Sequence, residues 1–197
     1  SLCSSHGVCK KGSGPATGPP RADQTPSHAE PDSLPQHETL AVPSSFPESE
    51  AALRFLDNQL DQIRGVLDEF PDEAIWVRPA EGVVSLGNLI CHVAGSMRDW
   101  FENGLGRGEW IRERQLEFDR DGGLDRSALH ELLNETRAHC GSFLAEVDAG
   151  NWEHERQFRG RTMPIREVLW HQVEHVAYHA GQAALLRRLT GGLAARP

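Results

Sequence analysis

Between residues 48 and 70 the apolar positions Leu53, Leu56, Leu60, Ile63, Leu67 and Phe70 recur at steps of three and four. That is the period of one helical face, and Pro71 supplies a stop. A second stripe, Leu86, Leu89, Val93, Met97 and Trp100, follows Ser85, a good N-cap, and predicts a helix over residues 85–105. Gly104, Gly106 and Gly108 then break the pattern. A third helix is predicted over 125–147, carried by Leu129, Leu132, Leu133, Thr136, Cys140, Phe143, Leu144 and Val147. The last is predicted to open at Pro164, where proline suits a first turn, and to end at Gly191-Gly192. The link over 71–84 reads as a loop, the link over 106–126 as a long polar connection, and a short hairpin fits around Gly160. Long connections are often functional, so Trp110 and Phe118 are candidates to cover a site. The expected architecture is all-α, a four-helix bundle whose long links permit a crossover.

Residues 1–47 depart from this pattern. They hold eight of the twelve prolines and a single aromatic residue, Phe46. Such a composition buries too little apolar surface to offset the entropy of ordering. It reads as a disordered, proline-rich tail or a tag-derived extension, with the folded domain over 48–192. His6 between Cys3 and Cys9 has no second ligand pair and is not read as a metal site.

Charge narrows the function classes. The net charge of -9 argues against nucleic-acid binding, which needs a basic surface. Arg156, Arg159, Arg161 and Arg166 cluster, but read as a solvated loop rather than a basic patch. No apolar run reaches the roughly 18 residues of a membrane span, and residues 1–20 lack the apolar centre of a secretion signal. Cys91 and Cys140 fall in helical patterns and read as buried thiols rather than disulfide partners. A cytoplasmic location is expected.

The candidate chemistry lies in the last helix. His171, His175 and His179 stand four apart, a spacing that stacks side chains on one face. Ile165, Val168, Gln172, His175, His179, Gln182 and Leu186 share the face expected to enter the bundle. Unpaired buried polar groups cost about 1–3 kcal/mol each, so something inside should satisfy these imidazoles and amides. A metal ion would, with His92 of the second helix as third ligand. Three histidines leave coordination positions open, as catalytic metals require. His171, on the flank, would hydrogen-bond a ligating group from behind or serve as an alternative ligand. His130, His139 and His154 read as surface residues. Cys91 sits about 100° around the helix from His92 and should not face the same ion.

Three segments now carry a family resemblance: Trp76-Val77-Arg78-Pro79 followed by Ser85-Leu86-Gly87-Asn88-Leu89-Ile90-Cys91-His92; Gly160-Arg161-Thr162-Met163-Pro164; and His175-Val176-Ala177-Tyr178-His179-Ala180-Gly181-Gln182. With these, residues 50–190 resemble the DinB-like (DinB/YfiT) superfamily of metalloenzymes. The resemblance implies a four-helix bundle of unusual connectivity, a homodimer, and a divalent metal held by His92, His175 and His179. It departs at Ala180, where an arginine is common. Characterised relatives are S-transferases and isomerases that use small thiols such as mycothiol, bacillithiol or glutathione.

The expected function is therefore metal-dependent thiol S-transfer on a small-molecule substrate. Zinc is slightly favoured over nickel, iron or manganese, and Gln182 and Asn88 are expected to orient ligands or water. A metal-dependent hydrolase and a non-catalytic stress-response metal-binding module stay open as alternatives. For the hydrolase, Asp99 is the nearest plausible base, though it reads first as surface charge. The tryptophans read as packing anchors.

Overall fold

The computed structural model describes residues 47–106, 108–147 and 150–194. The proline-rich tail, with His6, Cys3 and Cys9, lies outside the described residues. Five α-helices and one hairpin follow in order: α1 (Pro47–Glu69), α2 (Leu86–Glu102), α3 (Arg114–Asp119), α4 (Arg126–Ala145), β1 (Glu155–Phe158), β2 (Arg161–Pro164) and α5 (Ile165–Ala194).

The four long helices form the bundle. α1 packs chiefly on α5, and α2 on α4 and α5. Successive long helices, α1 with α2 and α4 with α5, make no extensive contact among the described residues. They stand on the diagonals, and the long links are the crossovers this requires. Fully buried Leu56, Leu60, Ile63 and Leu67 of α1, Leu89, Val93 and Met97 of α2, and Leu129 and Leu133 of α4 fill the centre. The predicted stripes are thus the core-facing sides.

Local chemistry fixes the helix ends. The Ser85 hydroxyl accepts from the Asn88 amide at 3.1 Å, and the Asn88 side chain returns a bond to the Ser85 amide, a capping box. Trp76 anchors the preceding link. Its indole donates to the Leu124 carbonyl at 2.8 Å, and its ring lies on Gly87, where a Cβ would stand 2.7 Å from ring atoms. Only glycine lets the tryptophan this close to the start of α2.

Three details differ from the sequence reading. α3 interrupts the connection that reads as polar loop, because six residues are too few for periodicity to register. Pro164 closes β2 instead of opening the last helix. The turn before it has Arg159 at φ 52 and Gly160 at φ 73, and two successive residues with positive φ are the mark of a tight hairpin turn. Finally, α5 continues through Gly191-Gly192 to Ala194; a glycine weakens a helix by only about 1 kcal/mol and does not end it unaided.

Candidate metal centre

α2 delivers His92 and α5 delivers His175 and His179 to one place. One ring nitrogen from each lies within 4.8 Å of the others. The Nε2 atoms of His175 and His179 are 3.1 Å apart. Ligands about 2.0–2.1 Å from a tetrahedral ion stand roughly 3.4 Å from one another, so small side-chain movements complete the geometry. His92 is 6% exposed and His179 9%, which shields the cluster from bulk water.

The hydrogen bonds orient two of the rings for this role. His92 Nδ1 is 2.8 Å from Glu117 Oε2, and His179 Nδ1 is 2.7 Å from Gln182 Oε1. A carboxylate and an amide oxygen only accept, so both Nδ1 atoms carry the proton and both Nε2 atoms present lone pairs. Outer partners of this kind set the tautomer of metal-binding histidines. Gln182 therefore orients the His179 ring. His175 Nδ1 and both amide atoms of Gln172 are buried without a partner. Such orphans are uncommon and mark places where water or an ion belongs.

Glu117 is the residue that sequence reasoning missed. It sits in α3, and its carboxylate receives two bonds from Arg112, Nε to Oε1 at 2.6 Å and Nη2 to Oε2 at 2.7 Å. Burial pushes the Glu117 carboxyl up, but the bonds from His92 and Arg112 and the Arg112 charge outweigh it and hold it below the usual carboxylate range. The group is thus an anion facing His92. Two other residues make room for it. A Cβ on Gly95 would run into Glu117 Oε1. Asn88 donates from Nδ2 to the backbone carbonyls of Glu117 (3.0 Å) and Arg120 (2.6 Å). Asn88 thus pins α3 to α2 rather than touching the cluster.

Asp99 is not a surface charge. It is 6% exposed, accepts from Asn103 Nδ2 at 2.8 Å, and pairs with Arg159 and, at 3.8 Å, with Arg112. Arg161 pairs with Glu167 and Arg166 with Glu153, so the arginine cluster is largely neutralised. His171 stays outside the triad: its ring lies 3.9 Å from that of Trp100 and 6.0 Å from that of His175. His130 and His139 bond Asp68 and Glu102 instead. Ala180 is buried at 2% exposure, facing the core.

Two cavities flank α3. One of about 440 Å³ is bounded by His92 and His179 and by apolar side chains including Leu89, Phe118 and Leu186. The other, about 570 Å³, is lined by Cys91, Trp110 and Leu116 among others, and none of the three clustered histidines borders it. Phe118, its ring 4.8 Å from that of His92, covers the site as expected. Trp110 does not; it stacks under Arg98 on the other side.

Burial, first of all, then the neighbouring His179, His92, His171 and Arg112, push His175 down to about 3. Burial and His92 lower His179 as well, against the opposing bond from Gln182. Unfolded histidines protonate near pH 6.5. Below that value the unfolded chain binds more protons than the fold, so the metal-free fold loses stability as pH falls from about 6.5 towards 3. Glu117 acts in the same direction at lower pH. Urea unfolding of metal-free protein should give a lower midpoint at pH 5 than at pH 7.5, and His175→Asn should flatten the difference.

Known proteins share this sequence pattern and fold. Residues 51–192 match the family profile described as mycothiol-S-transferase. No curated protein sequence matches. Among solved structures, a conserved protein from Enterococcus faecalis is similar at 16% identity and TM-score 0.59, covering 73% of this chain and 97% of its own. A DinB-like protein from Bacillus cereus is similar at 21% identity and TM-score 0.58, covering 72% and 92%. A mutant of the mycothiol-dependent maleylpyruvate isomerase is similar at 22% and TM-score 0.52, covering 67% and 59%. Those likenesses establish the fold, shared with a DinB-like protein, and the profile spans most of the sequence: the chain belongs to the mycothiol-S-transferase family.

Proposed function

We propose that the protein is a metal-dependent S-transferase that joins a low-molecular-weight thiol, mycothiol first among candidates, to a small electrophile. The observation that carries this is the convergence of three imidazoles, two of them at the wall of an apolar cavity, in a chain of this family. His92, His175 and His179 would hold one divalent ion through Nε2, and zinc suits such a donor set. An ion there supplies Lewis acidity, which lowers the pKa of a thiol bound to it.

The chain's own residues do the rest. Neutral histidines add no negative charge to the site. Glu117 and Gln182 hold the rings of His92 and His179 in register, and Phe118 excludes water from one side. The thiol comes from outside. Burial pushes the Cys140 thiol up to about 12 and raises that of Cys91, so neither offers a thiolate at neutral pH.

Hydrolysis is the weaker reading because no carboxylate among the described residues is free to act as base at the cluster. Glu117 faces Nδ1 of His92, not Nε2, and is held by Arg112; Asp99 is held by two arginines. A non-catalytic metal module would not need a cavity against its ligands. The test is turnover: mycothiol and an alkylating acceptor such as monochlorobimane should react faster with the protein than without it. Chelation should remove the acceleration and added metal restore it. A rate indifferent to the chelator would refute the proposal.

The assembly inferred is a homodimer. Trp170, Tyr178, Leu185 and Leu189 are exposed along one side of α5, and the space above Gly181 is open, which lets a second helix approach. Sedimentation at monomer mass would exclude it.

A further inference from the structure

The cavity beside the imidazoles carries its own chemical signature. Val83, Leu89, Phe118, Leu185, Leu186 and Leu189 make its wall apolar. Among the lining residues one side chain bears a permanent charge, Arg114, and no carboxylate lines the space. The Arg114 guanidinium lies 4.7 Å from the centre of the Phe118 ring, and the same ring lies 4.8 Å from that of His92. Phe118 is therefore a spacer between the cation and the imidazole cluster.

Arg114 makes no ion pair among the described residues, whereas its neighbour Arg112 is held by Glu117 and Asp99. A guanidinium stacked on a ring keeps its N–H donors in the plane of the group, free for a bidentate partner. In a chain of net charge -9, an anion gains little from the overall field and needs a local cation. Arg114 is itself exposed, so water screens that attraction in part, and the apolar wall supplies the rest of the binding.

We propose that this cavity is the acceptor site and that it selects an electrophile with an apolar body and a carboxylate, the carboxylate paired with Arg114 and the apolar body lying along Phe118 towards His92 and His179. The proposal rests on the S-transfer reading for the word acceptor; the binding preference does not depend on it.

The experiment uses the full chain as isolated and two probes of equal length, hexanoate and 1-hexanol, titrated by calorimetry into wild type, Arg114→Gln and Arg114→Lys. Hexanoate should bind about tenfold or more tighter than hexanol, the scale of one charge-assisted pair. Arg114→Gln should bring hexanoate down to the level of hexanol while leaving hexanol unchanged, and Arg114→Lys should restore part of the difference. Equal affinity of the two probes in wild type overturns the proposal, as does hexanoate binding that survives Arg114→Gln, since the acid would then be held elsewhere. No thiol is present, so these outcomes are independent of whether transfer occurs. Thiol transfer without preference for acidic acceptors would sink this proposal and leave the S-transfer reading standing.

Discussion

His179→Ala should leave the protein folded and without its metal. Wild type reconstituted with zinc is expected to hold close to one equivalent after desalting, and the variant less than a tenth. His179 belongs to the set of three nitrogens within 4.8 Å, and its Nε2 is oriented by the bond to Gln182. Removing an outer partner of a metal-binding histidine typically costs 10–100-fold in affinity; removing the ligand itself should exceed about 100-fold. His171→Ala is the internal control. Its ring packs on Trp100 rather than in the cluster, so that variant should keep its metal. Mass spectrometry of both variants beside wild type decides the ligand set. Equal metal loss in the two would mean that the cluster is held by a different trio.

Glu117→Gln tests the anion behind His92. The amide keeps the size of the carboxylate but loses the charge, so it no longer raises the basicity of the imidazole or pairs fully with Arg112. Zinc affinity should fall 10–100-fold, about 1.4–2.7 kcal/mol. Arg112 is 7% exposed and Glu117 11%. In Glu117→Gln, Arg112 keeps only Asp99, at 3.8 Å, so the melting temperature should fall as well, by less than the about 3–5 kcal/mol expected when a buried charge is left alone. Gly95→Ala separates the two effects. It leaves both charges in place and pushes Glu117 off its seat, so affinity should drop while Arg112 keeps a partner. A chelator-competition titration measures the affinity. Unchanged binding in both variants would leave Glu117 as a structural ion pair only.

Much of the fold is legible in the sequence because long amphipathic helices announce themselves through period. Leu56, Leu60, Ile63 and Leu67 read as core and are fully buried. The N-cap at Ser85 is legible too, since its chemistry is local. The two clustered histidines of α5, His175 and His179, are visible for the same reason: spacing by four puts them on one face. His92 needs a tertiary argument, and the family resemblance supplied it together with the residue's apolar setting. Glu117 had no signal. It lies in a six-residue helix within a polar run, where glutamates are ordinary, and its meaning comes only from folding over Gly95. Gly95 was the available hint, a glycine inside a strong helical stripe, which marks a close approach by something. Asp99 failed differently. Seven residues from His92, it looked like a solvent-facing charge, yet Arg112 and Arg159 reach it from segments remote in sequence. Arg114 is equally illegible: only the cavity distinguishes it from its paired neighbours.

The most direct test of the account is to replace the metal with cobalt(II) in the full chain and titrate mycothiol while recording the near-ultraviolet and visible spectrum. Three imidazoles and a thiolate on one ion predict a new sulfur-to-cobalt absorption that saturates at one thiol per site and is missing in His175→Ala. Cobalt bound at full stoichiometry with a spectrum that mycothiol, bacillithiol and glutathione all leave unchanged would contradict it.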